Sequence, residues 1–173
     1  MSKNKQKMTK DIVPENFTLS MALVDAIPVI FFGLSMIAIS RLFGSVLFLI
    51  GAIIVFLSGA LKVLWKVIVA LKKKNIWFLF IQMRIGMPIG FVLIIISLFV
   101  DAAKISLPGI GAALISFPSV IFFAIGLIGM IMMGVLAKKL DSSDSKANWI
   151  EQLTNGVAQI CIFIGLLLTA LSL

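Results

Sequence analysis

Arg84 is the side chain of this 173-residue protein whose surroundings most need a chemical explanation. It lies in WFLFIQMRIGMPIG, residues 77–90, within a stretch from 78 to 100 whose other polar members are Gln82 and Ser97. Such a stretch is long enough to cross the hydrocarbon core of a bilayer as a helix. An ionisable group at that depth is costly, so it is held by a partner or kept for a task. Arginine grips a carboxylate or phosphate through two parallel hydrogen bonds. Asp25 in the first apolar run and Glu151 in the last are the carboxylates on offer.

Aromatic residues mark membrane interfaces and so give the runs a common depth scale. Asp25 comes eight residues after Phe17, Arg84 seven after Trp77, and Asn155 six after Trp149. At the helical rise, all three fall roughly 9–12 Å inside the same interface. In the last run Asn148, Gln152, Asn155 and Gln159 recur at i, i+4, i+7 and i+11, one face of an α-helix, with Glu151 beside them. Ile150, Leu153, Val157, Cys161 and Ile164 form the other side. The spacing predicts one polar layer contributed by the first, third and fifth runs. Its ligand-binding candidates are Arg84, Asp25, Glu151, Asn155, Gln159, Gln82 and Gln152. Pro28 and Pro88 each follow a charged residue, remove a helical hydrogen bond and are the candidate hinges.

Each feature also has a purely structural reading. Asp25 and Arg84 suit an ion pair tying the first helix to the third. The amide stripe suits interhelical hydrogen bonds, each worth about 1 kcal/mol in a bilayer. Lys62 and Lys66, at i and i+4 near the end of the second run, are expected to snorkel to lipid headgroups. Glu151 suits a helix start favoured by the macrodipole.

Other chemistry has little to work with. There is no histidine, and the single cysteine, Cys161, sits in an apolar run, which rules out an intrachain disulfide and argues against zinc or haem ligation. No phosphate-binding glycine loop, Ser-His-Asp set or metal-binding carboxylate pair is evident. Asp141 and Asp144 belong to a serine-rich loop and read as solvated. The expectation is a protein that is not an enzyme, with no catalytic residue, metal or cofactor.

The elements that must position these groups follow from composition. The chain is 61% hydrophobic and 13% charged, with mean hydropathy +1.20. Soluble domains carry about 25% charged residues. The fold class is therefore an all-α integral membrane protein, a single bundle of five transmembrane helices over about 17–40, 44–65, 76–100, 117–137 and 149–171. A polar basic tail covers 1–16, a tight turn 41–43, an apolar interfacial connection 101–116, and a polar loop 138–147. The first run is longer than a signal-peptide core and reads as a retained span.

The net charge of +8 does not point to nucleic acid, because the lysines cluster beside apolar runs. With the N-terminus in the cytoplasm, the inside holds Lys3, Lys5, Lys7, Lys10, Lys62, Lys66, Lys72, Lys73, Lys74, Lys138, Lys139 and Lys146. The outside holds only Arg41 and Lys104. The positive-inside rule then predicts N-in and C-out topology in the cell membrane. SVLFLIGAIIVFLSGAL from Ser45 resembles SVIFFAIGLIGMIMMGVL from Ser119, suggesting a parallel repeat of two-helix units plus a fifth helix. The functional expectation is a transporter or solute-binding membrane protein for a small anionic, zwitterionic or amphiphilic ligand. The alternative is a non-transporting subunit or assembly factor of a larger membrane complex. Besides the lipid bilayer, five short helices call for a homo-oligomer or another membrane subunit as partner.

Overall fold

The computed structural model describes residues 13, 18–104, 107–140 and 145–173. Nearly all of the basic tail, the marker Phe17, and Asp141 and Asp144 lie outside the described residues. The described chain is almost entirely helical, and five helices are long and apolar enough to cross a membrane.

Helix ends are set by caps rather than by hydropathy. Helix α1 (Leu19–Phe43) begins where the Thr18 hydroxyl accepts from the Met21 N–H at 3.2 Å. It ends at Gly44, whose φ of 58° is the left-handed conformation, with its N–H donating to the Ser40 carbonyl. Residues 41–43, expected to turn, are therefore the last helical turn. Helix α2 (Val46–Lys72) starts at Ser45, whose hydroxyl accepts from the Phe48 N–H and donates to Asp101 Oδ2 at 2.5 Å. It stops at Lys73, also left-handed.

The third long helix, Trp77–Val100, comprises α3 (Trp77–Ile81) and α4 (Met83–Val100), joined by Gln82, whose backbone is itself helical (φ −57°, ψ −32°) and carries bonds from its N–H to the Phe78 carbonyl and from the Gly86 N–H to its own carbonyl. The Gln82 carboxamide donates to the Ser58 carbonyl at 2.9 Å and to the Leu79 carbonyl at 3.3 Å. The connection 101–116 contains a helix of its own, α5 (Leu107–Leu114), which packs on α6 (Ser119–Lys139) and α7 (Ser145–Ser172).

The crossings pack as an open row: α4 on α2, α2 on α1, α1 on α7 and α7 on α6. The row is bent at α2, because Phe32 of α1 and Phe91 of α4 bring their rings to 6.5 Å. Between lipid-exposed helices there is little hydrophobic drive, so association relies on close backbone approach at small residues. Gly51 and Gly90 mark the α2–α4 crossing: a Cβ on either would stand 2.7 Å from the other's carbonyl oxygen. Gly126 and Gly129 do the same for α6 against Ala158 and Ile162 of α7. Gly134, further along α6, faces open space. Among the described residues α4–α6, the pair that a tandem two-helix repeat would match with α1–α2, is not one of the main helix contacts, so the repeat is not confirmed.

Candidate functional site

Small residues fix which face of α2 is packed, and that face carries the site. Gly51, Val55, Ser58 and Lys62 follow i, i+4, i+7 and i+11. Lys66, one turn beyond Lys62, turns toward α1. Its ammonium is buried and lies 2.6 Å from Asp25 Oδ2. Met21, Ala22, Trp65 and Val69 are also buried in this part of the α1–α2 packing. Gln152 of α7 adds a third helix. With its amide oriented to donate to the Met21 carbonyl at 2.9 Å, its oxygen accepts from Lys66 Nζ at 3.3 Å.

Lys62 is partly buried and lies within electrostatic reach of Lys66, Asp25, Glu151 and Arg84. Charged side chains from α1, α2, α4 and α7 thus converge at the lysine-rich end of the molecule. Three cations meet two carboxylates, leaving the cluster with surplus positive charge. Its centre is the lysine pair of α2, which the sequence assigns to lipid headgroups. The i, i+4 relation puts both lysines on one face; the glycines and serine one to three turns earlier identify that face as the packed one.

Arg84 is not the partner of Asp25. Its residue is exposed, and its guanidinium carbon lies 5.5 Å from the centroid of the Phe80 ring, one turn back along the same crossing. Phe80 packs on Trp65 at 4.9 Å and on Trp77 at 5.2 Å, and the Trp65 indole donates to Asn75 Oδ1 at 3.0 Å. Asp25 is instead taken by Lys66, whose helix α2 packs closely on α1, while Arg84 lies over Phe80. Among the described residues no carboxylate forms an ion pair with Arg84.

The other candidates divide between site and scaffold. Glu151 is partly buried and within the field of Lys62; Asn155 is partly buried along the same stripe. Gln159 is buried and directs its amide to the Met130 sulfur at 3.5 Å, toward α6 and away from the charges. Gln82 is occupied by the α2 backbone. Pro28 is buried and Pro88 exposed. Lacking N–H groups, they withhold the helical donor from the Val24 and Arg84 carbonyls, so each weakens its helix beside a charged residue.

Two apolar grooves lie apart from the charges. One, of about 210 Å³, runs between α1 and α2 along Ile30, Leu34, Ile37, Leu49 and Phe56. The other, of about 530 Å³, is lined by Leu114, Ile115, Val120, Phe123 and Leu127. Among the described residues no three His, Cys, Asp or Glu side chains are grouped to hold a metal ion. Chemically, with Lys66 taken by Asp25, the charges left to attract an anion are the Lys62 ammonium, with Glu151 in its field, and the exposed Arg84 guanidinium. Comparison with family models, with curated proteins and with solved structures finds no match, so the reading of this site rests on its geometry.

Proposed function

We propose that this chain is a multi-pass protein of the cell membrane, N-terminus inside and C-terminus outside, that binds and transports a small anionic, zwitterionic or amphiphilic solute. The observation that supports this reading is the surplus of positive charge where α1, α2, α4 and α7 meet. A scaffold needs only the Asp25–Lys66 pair with its Gln152 cap; Lys62 and Arg84 exceed that requirement. Surplus charge held in a low-dielectric site is expensive unless it is used. The lysine distribution along the sequence supports the orientation, with the cluster on the cytoplasmic side.

The test is thermal unfolding of the detergent-purified protein against a panel of phosphate, pyrophosphate, carboxylate and amphiphilic anions. At least one class is expected to raise the melting temperature, and Lys62→Gln is expected to abolish the shift while the free protein still folds. Identical melting across the whole panel would remove the basis for a binding site. The subunit reading is favoured by a different observation: among the described residues α4 and α6, at the ends of the row, each have one main neighbouring crossing, α4 adding only the Phe32–Phe91 contact to α1. Native mass measurement in mild detergent distinguishes a lone chain from an assembly.

A further inference from the structure

At the end of the bundle away from the lysine cluster, Arg41 is a cation without a counter-charge. Ile30, Leu34, Ile37 and Arg41 follow i, i+4, i+7 and i+11 along α1, a single unbroken helix, so the guanidinium belongs to the same stripe as the three apolar side chains. All four residues are exposed. The apolar three form one wall of the groove of about 210 Å³ between α1 and α2, and Leu49 and Ile53 form the other. Gly33 supplies the floor: a Cβ there would stand 2.6 Å from Phe56 Cδ2, so the α2 ring lies against bare α1 backbone. The Ile37–Leu49 end of the groove leads toward Gly44, where α1 passes into α2. Arg41 comes four residues beyond Ile37, about 6 Å further along the axis. It occupies the last turn of a 25-residue helix. Such a helix is about 37 Å long and outreaches a hydrocarbon core of about 30 Å, which puts the guanidinium at the level of lipid phosphates. The helix macrodipole favours a cation in this turn but supplies no acceptor for its hydrogen bonds. Among the described residues Arg41 makes neither an ion pair nor a hydrogen bond.

We infer that this groove holds one acyl chain of an anionic phospholipid whose phosphate is gripped by Arg41, in the leaflet opposite the lysine-rich end. A guanidinium gives a phosphate two parallel hydrogen bonds, and the groove below it presents only apolar side chains. The site therefore selects the joined molecule over either half. A membrane lipid is the occupant because the lining comes from α1 and α2 alone and its exposed walls open on the bilayer. No carboxylate lies on the stripe to meet the ammonium of a zwitterionic headgroup, so a lipid of net negative charge is preferred. The site is separate from the charged cluster and stands independently of the solute reading.

The experiment is native mass spectrometry of the full chain released from mild detergent, titrated separately with phosphatidylglycerol, phosphatidylcholine, diacylglycerol and inorganic phosphate. Phosphatidylglycerol is expected to be retained, and Arg41→Gln to weaken its binding roughly tenfold, as for loss of one charge-assisted contact. Leu34→Trp, which puts an indole into the groove, is expected to weaken it at least as much, and Arg41→Lys to be intermediate. Two controls are expected to leave binding unchanged: Lys72→Gln, exposed at the far end of α2, and Ile121→Trp, exposed on α6. Arg41 and Leu34 are both exposed, so their variants are expected to keep the parent's unfolding midpoint. Binding untouched by Arg41→Gln or by Leu34→Trp, or weakened as much by either control, would overturn the inference. Equal retention of phosphatidylcholine or diacylglycerol would overturn it too, since the charge of the headgroup would then count for nothing. So would retention of inorganic phosphate alone, lost in Arg41→Gln, which would make Arg41 an anion site without a lipid.

Discussion

An ammonium buried between membrane-spanning helices is tolerable only with its counter-charge and hydrogen bonds in place, and Lys66 has both in Asp25 and Gln152. Removing one partner of such a pair is far worse than removing both. Asp25→Asn is therefore expected to destabilise the protein by about 3–5 kcal/mol, read as a fall in the unfolding midpoint in detergent. The double variant Asp25→Asn with Lys66→Met is expected to recover most of that loss. A single variant as stable as the parent would show that the pair contributes nothing. That Asp25 and Arg84 are charges set inside apolar runs was readable in the sequence. Their partners were not. Charge and spacing suggest which residues share a depth, but which helices pack closely decides who pairs, and here the close α1–α2 packing gives Asp25 to Lys66.

At the level of elements, the crossing of α2 and α4 depends on two glycines whose backbones nearly touch. Leucine at Gly90 would drive a branched side chain into the Gly51 carbonyl and Val55, so Gly90→Leu is expected to cost about 1–3 kcal/mol by forcing the helices apart. Gly134→Ala is the control: with open space around it, gaining a methyl is expected to be neutral or to stabilise α6 by up to about 1 kcal/mol through helix propensity. Matched unfolding measurements on the two variants separate close approach from propensity. That five helices would be long and apolar enough to cross a bilayer was plain from hydropathy, because twenty apolar residues leave few choices. Their limits were less so. Gly44 could have been recognised as a stop, but the end of α2 at Lys73 depends on a local left-handed backbone conformation that no glycine announces.

For the whole molecule, the order of neighbours is what hydropathy cannot carry. Crossings apolar on nearly every side fit beside one another in many arrangements, and only a few small or polar residues choose among them. A cysteine at Ile27 paired with one at Gly156, in a Cys161→Ser background, is expected to crosslink readily across α1 and α7, where the Ile27 side chain lies 3.8 Å from a Cβ built on Gly156. A pair at Ile89 and Leu127, on α4 and α6, is expected not to form within one chain. The reverse result would mean a different helix order. The proposed orientation makes a separate prediction: Ser172→Cys in the same background should react with a membrane-impermeant thiol reagent added to intact cells.

The two polar clasps on α2 lie at opposite ends of that helix and hold different partners. Ser45 fastens its first turn to Asp101 after α4, and Lys66 fastens its last turns to Asp25 of α1. A rod pinned at both tips cannot slide along its length without breaking both attachments together, but it can swing if one lets go and the other becomes the pivot. Whatever loosens the carboxylate at one tip therefore frees α2 to tilt at that tip alone.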